Sequence, residues 1–237
     1  MKHTLFWCPL FMFALFAKCT AAASVKRFPA VESIIVGGRT AVEDAYPYMV
    51  SLRLLNKVSH HFCAGSIISE RYILTAAHCT VFPEGIGDPT GNNVVVVIAG
   101  INRRQKVPKG LYLSKRFIVH KQYSNRTNEN DIALLQLTEP IRFTDGVKTV
   151  LMASTPPPVG ALATLAGWGV SKIFPSFQMP ARLQEITNMK VLRTEQCNEL
   201  LPASSQMNSS SGGQLCTILP KGKGACMGDS GKSSRRS

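Results

Sequence analysis

Three short segments, far apart in the chain, carry side chains that could act together on an acyl bond. In Thr75-Ala76-Ala77-His78-Cys79 a histidine sits on a small-residue turn beside a cysteine, directly after a strand-like run. In Asn130-Asp131-Ile132-Ala133-Leu134-Leu135 a carboxylate stands at the entrance to an apolar strand, where burial demands a hydrogen-bond partner. In Gly228-Asp229-Ser230-Gly231 a serine lies among glycines, so the backbone can turn sharply and present both a hydroxyl and amide hydrogens. Splitting an amide at neutral pH needs a nucleophile activated by a base, a group that orients the base, and donors aimed at the developing oxyanion. Ser230 is the candidate nucleophile, His78 the base and Asp131 its orienting partner, with the amides of Gly228 and Ser230 as the oxyanion donors. Singly, each has a plainer reading: His78 could be a packed histidine, Asp131 a strand cap, and the glycine-serine stretch an ordinary loop. The three together, in the chain order His, Asp, Ser, are far more specific than any one of them.

These side chains need rigid elements to bring them together. Short β-type runs fall at Tyr48 to Leu55, Phe62 to Ile68, Tyr72 to Thr75, Val94 to Ala99, Tyr112 to Val119, Ile132 to Leu137, Ala161 to Ala166 and Arg182 to Val191, nearly all separated by turn residues. Many short strands with few helical periods predict an all-β protein, a sandwich or a pair of barrels, and disfavour a parallel α/β sheet. One short helix is predicted over Thr194 to Leu200, capped by Thr194 and with Glu195 suited to its dipole. Pro156-Pro157-Pro158 breaks strand pairing and marks the connection between two strand-rich halves. The stretch Ser204 to Gly213 reads as a loop, and no internal repeat is visible.

At 237 residues and 45% hydrophobic, the chain is long enough for one large all-β domain or two small barrels, and disorder is excluded as its main state. Residues 1–23 read as a signal peptide: Lys2, an apolar stretch from Leu5 to Ala17, then Ala21-Ala22-Ala23. A membrane anchor is the rival, but the apolar run is short of the roughly 20 residues a span requires, and Pro9 interrupts it. A secreted, extracellular product is therefore expected. Loss of Lys2 and Lys18 with that segment lowers the formal charge of +13 by two, to +11. The basic residues are scattered, with short pairs only at Lys26-Arg27, Arg103-Arg104 and Arg235-Arg236, so they read as a solvated surface. Neither nucleic acid nor a membrane is expected as a partner.

Of seven cysteines, Cys8 and Cys19 leave with the signal peptide, and five remain: Cys63, Cys79, Cys197, Cys216 and Cys226. An odd count in a secreted protein implies an intermolecular bond, a reactive thiol, or a partner beyond the end of this chain. His60-His61 lies beside Cys63 in a strand-like segment with no further ligand at helical spacing, so these histidines read as surface or packing residues. No metal and no cofactor is expected. Two tripeptides, Asn125-Arg126-Thr127 and Asn208-Ser209-Ser210, match the acceptor pattern for N-glycosylation in polar loops, a pattern that also arises by chance.

Ile35-Val36-Gly37-Gly38, the His78 segment, the Asp131 segment, Ala166-Gly167-Trp168-Gly169 and Gly228-Asp229-Ser230-Gly231 together resemble the chymotrypsin family of trypsin-like serine proteases, over Ile35 to Gly231. The His, Asp, Ser order separates this layout from the subtilisin-like and α/β-hydrolase orders. The resemblance implies two six-stranded antiparallel β-barrels with the site in the cleft between them, and a zymogen with an activation peptide at 24–34. Cleavage would free the amine of Ile35, which in the family pairs with the carboxylate matching Asp229 and organises the oxyanion hole. It implies disulfides Cys63–Cys79 and Cys197–Cys216, with the usual partner of Cys226 absent. Relatives that cut after Lys or Arg carry an aspartate at the position matching Gly224. Gly224, with Ala225 and Met227, therefore implies a neutral pocket suited to large apolar or aromatic side chains, because burying an unpaired cation is costly. Implied partners are protein or peptide substrates, an activating protease and protease inhibitors, acting on a monomer.

Two departures stand out. After Gly231 the family continues with a glycine and proline, further strands and a helix, whereas this chain reads Lys232-Ser233-Ser234-Arg235-Arg236-Ser237. Residues 35–231 are thus expected to form a C-terminally truncated protease domain whose second barrel is incomplete, with 232–237 an atypical tail. The family's missing part supplies a pocket wall, a substrate-pairing backbone and a serine near Asp131, and its loss exposes strand edges. Gly231-Lys232-Ser233 is what an in-frame read through a splice donor of the form GGTAAGT would encode, which suggests a translated intron. Secondly, Ser33-Ile34 precedes Ile35 where trypsin-like activators need Arg or Lys, so an activator of apolar preference or trimming after another cut is expected. Beside the endopeptidase stand two alternatives, a non-catalytic protease homologue and a nonfunctional fragment. The intact triad argues against the first, and the truncation argues in part for it.

Overall fold

The computed structural model describes residues 38–55, 57–80, 95–100, 110–127, 129–169, 182–200 and 214–219, with the backbone alone for 57–60 and 234–236. Two β assemblies account for nearly all of its regular structure.

The first is a closed barrel of β2 (Met49–Leu54), β3 (Lys57–Ile67), β4 (Tyr72–Thr75), β5 (Val95–Ala99), β6 (Gly110–Val119) and β7 (Ala133–Leu137), in the order β2-β3-β4-β7-β6-β5. All its pairings are antiparallel, and the pairing of Val50 with Ala99 through Leu54 with Val95 closes the ring. Period-two alternation turns Ala133, Leu135 and Leu137 of β7 inward. Leu135 and Leu137 meet Val50, Leu52, Ile67, Ile73, Val95 and Val97, a β-branched and Leu core with no exposed member. Register shifts near Arg53 and between Ser114 and Arg116 mark bulges, which add the coil a small barrel needs to close. Gly65 is required where β3 crosses β4: a Cβ there would collide with Cγ2 of Ile73 and stand 3.0 Å from the Leu74 carbonyl oxygen.

The second assembly is a five-stranded antiparallel sheet. It runs β1 (Arg39–Thr40), β9 (Gln184–Leu192), β8 (Leu162–Gly167) and β11 (Ser234–Arg236), while β10 (Cys216–Ile218) pairs the far end of β9. The helix α1 (Thr194–Leu200) follows β9 directly, and a disulfide between Cys197 and Cys216 ties it to β10. An apolar cluster of Tyr48, Met49, Ala64, Ala166, Trp168 and Leu183 joins this sheet to the barrel.

The fold is the expected one in kind: mostly β, one closed six-stranded barrel, and a second sheet that is open among the described residues. Residues 156–158 lie between β7 and β8, where the connection was placed. Three strands were not anticipated. Of these β1 has two residues and β10 three, too short to show a period, and β11 arises in the atypical tail, pairing Ser234 with Leu165 and Arg236 with Ala163. Residues 204–213 lie outside the described residues. Among the described residues no helix is long and apolar enough to cross a membrane.

Candidate active site

The antiparallel register of two barrel strands brings the first two candidate residues together. Thr75, the last residue of β4, pairs with Ala133, the first of β7. His78 lies three residues beyond one strand end and Asp131 two residues before the other, so both fall at the same rim of the barrel.

Each side chain is held locally. Beyond β4 the chain enters a tight 3-10 turn, Ala77–Thr80, in which the Cys79 amide donates to the Ala76 carbonyl at 3.2 Å and the Thr80 hydroxyl to the Ala77 carbonyl at 2.7 Å. Buried Ala76 and Ala77 let this turn lie flat on the core. The Thr75 hydroxyl donates to the Ala64 carbonyl at 2.8 Å, and the Cys63–Cys79 disulfide fixes the residue after His78 to β3. On the other side Asn130 has φ 54°, a left-handed conformation that asparagine tolerates better than most residues. Its Nδ2 donates to the Gln122 carbonyl at 3.0 Å, and the Ile132 amide donates to the Asn130 carbonyl at 2.7 Å, curling the chain around Asp131.

The result is a two-point clasp. The His78 amide donates to Oδ1 of Asp131 at 2.8 Å, and Nδ1 of the ring meets Oδ2 at 2.7 Å. A carboxylate oxygen accepts, so Nδ1 is the ring nitrogen that donates in this contact and Nε2 is left out of it. The His78 side chain is 38% exposed against 24% for Asp131, which leaves the imidazole reachable while its partner is the more sheltered of the two. Burial, and after it the charge of Asp131, push the Tyr123 hydroxyl above its usual pKa.

Cys63, Cys79 and His78 come close enough to suggest a metal site, but the two sulfurs share a disulfide and have no thiolate to offer. His61 is half-buried, hydrogen-bonded through Nδ1 to Ser51 Oγ at 2.8 Å, with its ring 5.5 Å from that of Trp168. Burial also lowers the pKa of Arg53, whose Nε donates to the same Ser51 hydroxyl at 3.0 Å. The left-handed backbone of Asn130 and the place of Tyr123 beside Asp131 were not read from the sequence; an asparagine immediately before the candidate aspartate was the available signal for the first.

Of the other candidates, Ile35, Gly224, Ala225, Cys226, Met227, Gly228, Asp229 and Ser230 lie outside the described residues. Fold and pair together define a class, antiparallel double-assembly β proteins that present an oriented imidazole at the rim of a closed barrel. The chain belongs to the trypsin family of serine proteases, whose model matches residues 35–233. Trypsin theta of Drosophila erecta is 32% identical over 202 residues, covering 84% of this chain and 71% of that protein. Chymotrypsin-2 of Vespa crabro is 36% identical over 201 residues, covering 83% and 81%. Trypsin of Sarcophaga bullata is 32% identical over 199 residues, covering 83% and 72%.

Proposed function

We propose that this chain is a secreted serine endopeptidase that hydrolyses peptide bonds through an acyl-enzyme, with Ser230 as nucleophile, His78 as base and then acid, and Asp131 as the orienting carboxylate. The clasp of Asp131 on the His78 ring and amide carries the reading, because it fixes the tautomer in which Nε2 can accept a proton. Nε2 takes the Ser230 hydroxyl proton as Oγ attacks the carbonyl carbon, then gives it to the departing amine; a water repeats the sequence on the ester. The amides of Gly228 and Ser230 hold the oxyanion in both halves. Activation frees the Ile35 amine to pair with Asp229, and the residues before it are the activation peptide, behind the leader at 1–23. Family membership supports proteins as substrates.

Side-chain preference rests on Gly224, Ala225 and Met227. Glycine at 224 brings no counter-charge, so large apolar or aromatic residues are favoured over Lys or Arg. The relatives bear both trypsin and chymotrypsin names, which leaves the pocket residues as the argument.

The test uses the full chain, secreted and then processed at Ile35, with an active-site fluorophosphonate probe and paired Phe and Arg peptide substrates. Ser230 labels, Ser230→Ala does not, and Asp131→Asn lowers kcat about 10⁴-fold by leaving the imidazole in the wrong tautomer. Folded but unlabelled protein would overturn the enzyme in favour of a non-catalytic homologue, and an aggregated chain in favour of a fragment. Faster turnover of Arg than of Phe would refute the pocket assignment alone.

A further inference from the structure

The loop that delivers Asp131 has an exposed tip that the catalytic reading leaves unused. Its base is closed three times: the Ser124 amide donates to the Glu129 carbonyl at 3.1 Å, Asn130 Nδ2 to the Gln122 carbonyl at 3.0 Å, and the Tyr123 amide to the His120 carbonyl at 3.0 Å. Within it the Thr127 amide reaches Ser124 Oγ at 3.3 Å, and Thr127 Oγ1 reaches Glu129 Oε2 at 3.1 Å. Asn125, Arg126 and Thr127 stand exposed at the tip, and the Asn125 side chain makes no hydrogen bond among the described residues. The same three residues form an acceptor tripeptide with no proline at its centre.

We propose that Asn125 carries an N-linked glycan that shields this loop from proteolysis, a reading that rests on the secretion proposed above. The modification replaces one N–H bond of the Asn125 side-chain amide by a bond from Nδ2 to the anomeric carbon of an oligosaccharide carried on a lipid pyrophosphate. The anomeric C–O bond breaks, the lipid pyrophosphate leaves with its electron pair, and the amide proton is released, with no change of oxidation state. An exposed amide without internal bonds takes such a substituent and leaves no buried group unsatisfied. The need for protection comes from Arg126. A basic residue on an exposed polar loop tip is a preferred site of nicking, above all among enzymes that cut after Lys or Arg. A cut after Arg126 would free the chain four residues before Asn130, whose left-handed backbone sets Asp131. A glycan on the adjacent side chain covers that bond.

The full chain, carrying Asn208→Gln to remove the second tripeptide, is expressed through the secretory route and recovered from the medium. Release by a peptide amidase in heavy-oxygen water, which hydrolyses the Asn125 side-chain amide and frees the glycosylamine, is expected to leave a heavy-oxygen-labelled aspartate at position 125, with the size shift lost in Asn125→Gln and Thr127→Ala and kept in Thr127→Ser. Added trypsin should cut the Asn125→Gln protein after Arg126 several-fold faster than the glycosylated one, and Arg126→Gln should abolish that cut. Secreted protein with a bare Asn125 overturns the glycan, and equal cutting rates overturn the shield. A chain that never enters the secretory route overturns the secretion reading instead.

Discussion

In the barrel every strand has neighbours on both sides, and β2 against β5 closes the ring; in the second sheet β9 carries β1, β8 and β10, and β8 carries β11. The interiors differ in the same sense. The barrel surrounds Val50, Leu52, Ile67, Ile73, Val95, Val97, Leu135 and Leu137, all fully buried, whereas among the described residues the second sheet's own cluster is Ala163, Ile186 and Met189. Around it Leu162, Leu200, Leu215 and Ile218 remain exposed. The second assembly makes up for this with discrete ties: a disulfide from α1 to β10, and a buried Glu185 gripping two points of the N-terminal segment. A ring without edges can seat His78 and Asp131 within hydrogen-bond distance, while a sheet held by single ties can be loosened one tie at a time.

Core truncation should separate the two parts most widely. Leu135→Ala is expected to cost about 3–4 kcal/mol in urea unfolding, and Ile186→Ala about 2, because its cluster is the smaller among the described residues and includes partly buried Leu165 and Leu219, which can move into the space left behind. Equal losses would show the second sheet to be packed as tightly as the barrel. The disulfides sharpen the contrast. Their sequence separations, 16 and 19, give loop-closure terms near 3 kcal/mol that differ by only about 0.2 kcal/mol. A larger difference between the two double Cys→Ala variants therefore reports surroundings. Cys63 and Cys79 are 1% and 0% exposed, while Cys197 is half-buried, so the barrel pair should cost about 1 kcal/mol more through the cavity left. Its loss should also slow probe labelling at the proposed nucleophile, Ser230, since Cys79 adjoins His78.

What the residues revealed in advance follows the same division. Barrel strands such as Tyr72–Thr75 and the run up to Leu137 were legible because alternation over a closed core writes period two into the chain. His78 and Asp131 were legible from their settings, and the β4–β7 register supplies the geometry that unites them. The short β1 and β10 were not legible, because two or three residues carry no period and depend on β9 for their place. Nor was Glu185: it stands inside a run of strand character, and its partners Arg39 and Tyr46 are 146 and 139 positions away, a pairing that topology alone creates.

Glu185 gives the smallest and most specific of these comparisons. Its side chain is 6% exposed, and it accepts from Arg39 Nε at 2.6 Å and from the Tyr46 hydroxyl in a short bond, so both ends of the segment 39–46 hang on one carboxylate. Glu185→Gln keeps the shape and weakens both charge-assisted bonds, an expected cost of about 1–2 kcal/mol in urea unfolding. Burial first, then the bond to Glu185 and its charge, raise the Tyr46 pKa well above the ordinary tyrosine value of 10.0. The folded protein thus holds this proton more firmly than the unfolded chain does. The sign follows: the contribution is complete below pH 10.0, and it drains away as the pH climbs beyond that, because the unfolded chain ionises first. Unfolding free energies measured from pH 8 to the alkaline limit should fall more steeply above about pH 10 in the native sequence than in Tyr46→Phe. Parallel curves would mean that Tyr46 ionises in the folded protein as freely as in the open chain, leaving Arg39 and the β1–β9 backbone pairing to hold the first strand.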